Sequence, residues 1–277
     1  MLVSVIMPVW GEGGHSLKRS LESVTRQTHD DLELIVLVDP TSHDADARIL
    51  AILDEYRDDH RVRRVVNAHR LGFTASLNLG ASVASGQVIA RMDSDDESAP
   101  GRLATEIDWM MNHNADLVGS WALVIDDGGS VIGSLTPPSE FASIRKYLLL
   151  HNPFVHSSIL FTRRLYETAG PYDVSYEPGE DYEFYLRAVS RGFRCVNVPS
   201  FLHFLREREG SMTRGGRWKQ NRLNYIRCKA AAVTKYGYNT PLDLMFASLS
   251  IIAVFVGPRQ VLSMKRAIGQ YRPRQTN

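Results

Sequence analysis

The sequence predicts an α/β fold in which helices flank a central, mostly parallel sheet. Two observations predict it. Through the first half of the chain, short β-rich apolar runs alternate with segments of helical periodicity, and polar residues recur immediately after the runs. Strands are expected at residues 3–7, Leu32–Val38, Val62–Val66, 87–92 and 116–125. Between them, Leu17, Leu21 and Val24 define one apolar helical face, Ile49, Leu53 and Tyr56 a second, and Phe73, Leu77 and Ala84 a third. Pro100 opens a fourth helix with Leu103, Ile107 and Met110 on its buried side. Asp126-Asp127-Gly128-Gly129 reads as a hairpin turn, residues 139–150 as an amphipathic helix, and residues 155–162 as a further strand. Glu180-Asp181 then begins a helix whose Tyr182, Tyr185, Leu186 and Val189 share one apolar side.

A length of 277 residues and 44% hydrophobic composition suffice for a large core. Lys+Arg (32) and Asp+Glu (31) nearly cancel, so no global field points to nucleic acid. Basic residues are concentrated between Arg206 and Lys235, a stretch that suits phosphates, anionic lipid or plain solvent. The only cysteines, Cys195 and Cys228, lack metal-ligand spacing and imply reduced thiols in a cytoplasmic setting. Residues 2–9 have no basic segment before them and read as a strand, not as a signal peptide or membrane anchor.

In such sheets ligands gather beyond the carboxyl ends of the strands. Pro8, Val9, Trp10 and Glu12 follow the first run, Asp39 the second, Asn67 and Arg70 the third, and Asp93 to Asp96 the fourth. Three carboxylates within four positions at a strand tip repel one another unless a cation neutralises them. Hard oxygen ligands at this density suit Mn²⁺ or Mg²⁺ carrying phosphates. The competing explanation is a solvated acidic loop leading into the next helix. Glu180 and Asp181, preceded by Gly179, form a second carboxylate cluster, though acids in a first turn also serve as dipole partners.

The order of these motifs resembles the family-two inverting glycosyltransferases, which share the nucleotide-sugar transferase fold called GT-A. The resemblance runs from about Val3 to Thr213 and is carried by Ser4-Val5-Ile6-Met7-Pro8-Val9-Trp10, Leu71-Gly72-Phe73-Thr74-Ala75-Ser76-Leu77-Asn78-Leu79-Gly80, the run ending in Asp93-Ser94-Asp95-Asp96, Asn152-Pro153-Phe154-Val155-His156-Ser157-Ser158 and Gly179-Glu180-Asp181-Tyr182-Glu183. It implies transfer of a sugar from a nucleotide-diphosphate donor, with UDP the expected nucleotide, to a hydroxyl of a glycan or lipid-linked acceptor in surface polysaccharide synthesis. It places Pro8, Val9, Trp10, Glu12 and Asp39 at the nucleobase, Asn67 and Arg70 at the donor, Asp93 at the ribose or metal, Asp95 on the divalent cation, and Asp181 as the base, with Glu180 its nearest rival. His156 and Trp218 are the implied acceptor contacts.

Three positions depart from the family's pattern. Asp39-Pro40-Thr41-Ser42 keeps only the first carboxylate of the usual Asp-Asp-Gly-Ser, and Trp10-Gly11 replaces a common Tyr-Asn. Arg206-Glu207-Arg208 stands where many relatives carry Arg-x-His, so Arg208 would grip phosphate directly and lessen metal dependence. Arg214-Gly215-Gly216-Arg217-Trp218 is similar to a signature of processive relatives whose Trp stacks on the acceptor.

The expected organisation is a catalytic domain over residues 1–215, with a nucleotide-binding half (1–98) and an acceptor half (99–215), followed by a helical C-terminal extension (216–277). Within the extension residues 244–258 are uncharged and apolar but shorter than the roughly 20 residues a spanning helix needs. Residues 241–266 therefore suit a peripheral contact with the inner face of the cell membrane, or a homodimer interface. Two other functions compete: an NAD-type oxidoreductase built on Gly11-Glu12-Gly13-Gly14 and Asp39, and a degenerate protein that binds sugar nucleotides without turnover.

Overall fold

The computed structural model describes residues 1–11, 14–207, 218–254 and 271–273. In its first half, β1 (Val3–Val9), α1 (His15–Thr25), β2 (Leu32–Val38), α2 (His43–Asp54), β3 (Val62–Val66), α3 (Phe73–Val83) and β4 (Val88–Arg91) follow one another as a wound α/β unit. β1 lies between β2 and β4, β3 lies outside β2, and all these pairings are parallel. Strands buried on both faces need apolar residues on both, and β2 supplies them. Leu34, Val36 and Val38 pack with Leu17, Leu21 and Ile49 of α1 and α2, while Ile35 and Leu37 pack with Phe73 and Leu77 of α3. Helix α3 comes close because position 80 is glycine: a Cβ there would stand 2.5 Å from Ile6 Cγ2 and 2.8 Å from Leu37 Cδ1.

The second half adds β5 (Glu97–Ser98), α4 (Arg102–Asn112), β6 (Leu117–Ile125), β7 (Val131–Leu135), α5 (Phe141–Leu148), β8 (Leu160–Thr162), α6 (Arg163–Ala169), α7 (Glu180–Ser190) and β9 (Cys195–Arg206). β8 joins β4 to β6 through antiparallel pairings, and the long β9 runs parallel to β6 along its length while also pairing antiparallel with β5 at His203 and Phe204. Beyond them are α8 (Trp218–Thr234), α9 (Pro241–Val254) and β10 (Tyr271–Pro273). The sheet reads β10-β7-β6-β8-β4-β1-β2-β3 across.

Several expected boundaries move for physical reasons. β1 continues through Pro8 and Val9, because its pairing with β4 ends at Ile6 opposite Arg91 and the N–H that proline lacks is not needed by that neighbour. Helix α4 starts at Arg102, with Gly101 as its N-cap, while Pro100 lies in the turn that follows the short β5. Residues 155–162 are not one strand. His156–Ser158 form a 3₁₀ turn, closed by Ser158 Oγ donating to the Val155 carbonyl at 2.9 Å, and only Leu160–Thr162 extend. The C-terminal segment is helical over α8 and α9 and then returns as β10 along the edge of β7. Cys228, Ala232 and Tyr238 lie in the same core cluster as α3 and α7, so α8 is built into the body of the preceding domain.

Candidate active site at the carboxyl rim of the sheet

The strand ends expected to converge do so. Asp39 N–H donates to the Val9 carbonyl (2.9 Å), Asn67 N–H to the Val38 carbonyl (3.0 Å) and Met92 N–H to the Ile6 carbonyl (3.1 Å), which sets the residues after β1 to β4 on one rim. The Asp39 carboxylate is buried and accepts from Asn67 Nδ2 (3.0 Å), Leu71 N–H (2.7 Å) and Gly72 N–H (3.0 Å). An acceptor-only group is suited to gathering several donors, so Asp39 organises the loop that leads into α3 and carries the exposed Arg70. Gly72, at φ +89°, is the residue that lets the loop turn. Trp10 is half-buried with its ring edge-on to Phe73 at 5.5 Å. The side chains of Pro8 and Val9 are buried and support the rim from beneath. Glu12, Arg208 and the side chain of Trp218 lie outside the described residues.

The three carboxylates after β4 take separate roles. Asp93 is 28% exposed and pairs with Arg91 Nη2 at 2.5 Å; partial burial raises its pKa while the guanidinium opposes the rise. Asp95 is also part-exposed, and its carbonyl accepts from Arg206 Nε at 2.9 Å. Asp96 is buried, accepting from His203 Nε2 and from Arg206 N–H, each at 2.8 Å, and burial pushes its carboxyl up to about 6. Asp96 is therefore a structural anchor. Among the described residues no group of three or more His, Cys, Asp or Glu could hold a metal. Two part-exposed carboxylates are nevertheless what a Mg²⁺-type ion takes when diphosphate and water fill its remaining positions, so Asp93 and Asp95 fit such an ion.

Arg206 is no surface cation. Its buried guanidinium donates to the Asp126 (2.6 Å) and Asp127 (3.1 Å) carbonyls and to Glu97 Oε1 (2.5 Å), fastening the acidic loop to the β6–β7 hairpin. Arg91, at the end of an otherwise apolar strand, was also not legible as a site residue. It is buried 5.0 Å over the Phe73 ring, with Nε and Nη1 unpartnered among the described residues, and its charge reaches both Asp93 and Asp181. A lone cation in a strand of Val, Ile and Ala was the available signal.

Across from the acidic loop, Gly179 (φ +123°) precedes α7 and directs its first turn to the rim. Asp181 is part-exposed, accepting from Asn152 Nδ2 at 2.6 Å and from Tyr182 N–H at 2.7 Å. Burial raises its pKa, against these two donors and the charge of Arg91. Glu180 instead is buried and turns back onto Gly179 N–H at 2.9 Å; burial, then the adjacent Asp181, push it up to about 8. Asn152 lies within a motif already prominent in the sequence, but its partner could be found only in three dimensions. His156, expected to touch the acceptor, is placed in an aromatic wall. Its Nδ1 meets the Tyr185 hydroxyl at 2.7 Å, its Nε2 is buried, and Phe73 and Tyr172 pack edge-on to its ring. Burial depresses its pKa, so a neutral His156 supports the wall.

The Glu180 environment gives a testable sign. A carboxyl raised from its ordinary value to about 8 binds more protons folded than unfolded, so its contribution to stability declines as pH rises from about 4.5 through about 8. Glu180→Gln removes that dependence. The melting temperature of the variant is expected to gain on the wild type steadily between pH 5 and 8.5, and a constant difference would refute the assignment.

A curled α/β sheet with helices on both faces, and carboxylates gathered on its carboxyl rim, is the architecture of the GT-A glycosyltransferases. S. aureus TarS 1–349 in complex with UDP-GlcNAc shares this fold with a TM-score of 0.67 at 17% identity, over 97% of this chain and 80% of that one. The mannosyltransferase PcManGT of Pyrobaculum calidifontis, in complex with GDP-Man and Mn²⁺, gives 0.63 at 16% identity, over 96% and 80%. The chain belongs to glycosyl transferase family 2, whose model matches residues 4–168. It is 32% identical to EpsE of Bacillus subtilis over 212 residues, covering 74% of this chain and 73% of the relative. It is 26% identical over 204 residues to the UDP-Glc:alpha-D-GlcNAc-diphosphoundecaprenol beta-1,3-glucosyltransferase WfgD of Escherichia coli, covering 70% and 75%. The expected family and fold are thus borne out, and membership of this family replaces the oxidoreductase alternative.

Proposed function

We propose that this glycosyltransferase moves a sugar from a UDP-sugar to an acceptor hydroxyl with inversion at the anomeric carbon, Asp181 acting as the general base. The observation that carries this is the contrast between the two neighbouring carboxylates. Asp181 is accessible and oriented by two donors, whereas Glu180 is buried and turned away. Residues 1–98 supply the donor side and residues 99–215 the acceptor side. Asp39 holds the loop bearing Asn67 and Arg70 against the nucleotide, and Trp10 lines the base pocket. Asp93 and Asp95 would hold Mn²⁺ or Mg²⁺, whose charge stabilises the leaving diphosphate when bound. Asp181 accepts the proton of the acceptor hydroxyl as its oxygen attacks the face opposite the leaving group, and one displacement inverts configuration. UDP is preferred because the WfgD name and the TarS complex both specify UDP-sugars. Incubation with UDP-, GDP- and dTDP-sugars in Mn²⁺, reading released nucleoside diphosphate by mass spectrometry, tests the assignment. Release from a UDP-sugar is expected; release from none would favour a degenerate binder.

A lipid-linked acceptor at the cytoplasmic face of the membrane fits the C-terminal segment. Helix α9 exposes Leu242 (50%), Leu244 (43%) and Met245 (47%) and has Asp243 as its one charge. No described helix is long and apolar enough to cross a membrane. Replacing Leu242, Leu244 and Met245 together by Glu is expected to abolish sedimentation with phosphatidylglycerol liposomes. Unchanged sedimentation would remove the membrane contact, and a shift from dimer to monomer would assign the patch to a second copy. Substitution is preferable to truncation, since β10 lies beyond α9 and covers β7.

A further inference from the structure

We infer that Asn152 is a positioning residue for Asp181 and that α8, through Asn224, Tyr225, Cys228 and Lys229, is the element that holds both in register. The inference rests on Asp181 being the base. The Asn152 amide is held at both ends. Its Oδ1 accepts from Phe154 N–H at 3.0 Å, which leaves Nδ2 as the end facing Asp181 at 2.6 Å and resolves which way the amide points. A donor fixed in this way aims the carboxylate and favours its ionised form.

What fixes Asn152 comes from the C-terminal segment. The four α8 residues lie at i, i+1, i+4 and i+5, and so form two adjacent rows on one helix face. One row grips the loop before α7: Asn224 Nδ2 donates to the Tyr176 (2.9 Å) and Pro178 (3.1 Å) carbonyls, and Cys228 Sγ to the Gly179 carbonyl (3.7 Å). The other row grips the segment bearing Asn152. Lys229 Nζ donates to the Leu150 carbonyl at 3.3 Å, and the Tyr225 hydroxyl lies beside the Asn152 backbone, whose N–H favours its ionised form. The Tyr225 ring also stacks on Tyr182, beside Asp181 in sequence, at 4.6 Å and 15°. Asn224 and Lys229 are buried. Polar groups are costly to bury unless their partners are in place, so these bonds specify one relative placement of the two loops. Helix α8 is in this sense a shared wall, one row of which sets where Asp181 sits and the other where its hydrogen-bond donor sits.

The groups facing Asp181 are Arg91 from β4, Glu180, Tyr182 and Tyr185 from its own helix, Tyr172 from the loop before it, and Tyr225 and Cys228 from α8. Loss of the Asn152 donor leaves burial less opposed, so the pH at which the base loses its proton moves up. The test uses the full chain with the UDP-sugar that turns over, and UDP with Mn²⁺ as the binding probe. Asn152→Ala is expected to lower kcat by about tenfold or more, leave UDP affinity within about twofold, and shift the acid limb of the kcat profile to higher pH. Tyr225→Phe keeps the ring stack and removes one oxygen; the same upward shift, smaller, is expected, and this variant carries the test if Asn152→Ala fails to fold. An unmoved acid limb in the folded variants, or UDP affinity lost in parallel with kcat, overturns the inference. Asp181→Asn separates the two levels. If it is inactive while Asn152→Ala and Tyr225→Phe resemble wild type, only the positioning role falls; if it retains activity, the assignment of the base falls and the inference with it.

Discussion

Asp181→Asn is expected to abolish sugar transfer while leaving UDP binding intact. A positioned general base contributes on the order of 10²- to 10⁴-fold, and the carboxamide has no basicity with which to replace it. The change is nearly isosteric. Its oxygen can still accept from Tyr182 N–H, but an amide nitrogen turned to Asn152 would set donor against donor, so Asp181→Ala serves as a second variant free of that conflict. Neither should unfold the protein, since burial already disfavours the ionised form of this carboxyl. Donor affinity is the control: isothermal titration with UDP and Mn²⁺ should give values within about twofold of wild type, as expected for an interaction made to the acceptor. Parallel loss of UDP affinity, or transfer within about tenfold of wild type, would require the base to be sought elsewhere.

The second large effect is expected at Asp95. Removing its charge while keeping its shape should reduce turnover by at least about a hundredfold, the scale of losing a principal electrostatic stabiliser of a leaving group. A readout independent of turnover is the thermal shift produced by UDP in Mn²⁺ over that produced by UDP in chelator. Asp95→Asn should erase this increment. Asp96→Asn makes the contrast: with its carboxylate held by His203 and the Arg206 N–H, it is expected to lower the melting temperature while the Mn²⁺ increment survives. The reverse pattern would exchange the two roles.

Much of this arrangement is legible in the sequence, and the parts that are not have identifiable causes. β2 has the boundaries its apolar run predicts, because a buried parallel strand announces itself by a continuous run bounded by polar residues, and β3, an outer strand carrying Arg63 and Arg64, also has the predicted bounds. The rim is legible for the same reason, as Asp39, Asn67 and Asp93 each terminate a run. The sequence did not distinguish Asp96 from Asp95, since three acids in four positions give no sign of which meets a buried histidine more than a hundred residues later. The basic stretch beginning at Arg206 suggested a surface, yet Arg206 and Lys229 are buried and bonded to carbonyls that lie far away in sequence. Segment 155–162 failed differently. Val155, Ile159 and Leu160 have the composition of a strand, and local hydrogen bonding by Ser158 turned the chain before the strand could begin.

The pairing of β10 with β7 bears on how the protein is made. Tyr271 and Leu135 are register partners from opposite halves of the chain, so β7 emerges from the ribosome long before the strand that covers it. At translation rates of roughly 5–20 residues per second, that interval lasts on the order of ten seconds, during which an unpaired strand edge is open to other nascent chains. Newly made protein should therefore be most prone to association while translation passes through the α8 and α9 segment. Slowing synthesis there would lengthen the exposure without changing a single residue of the finished enzyme.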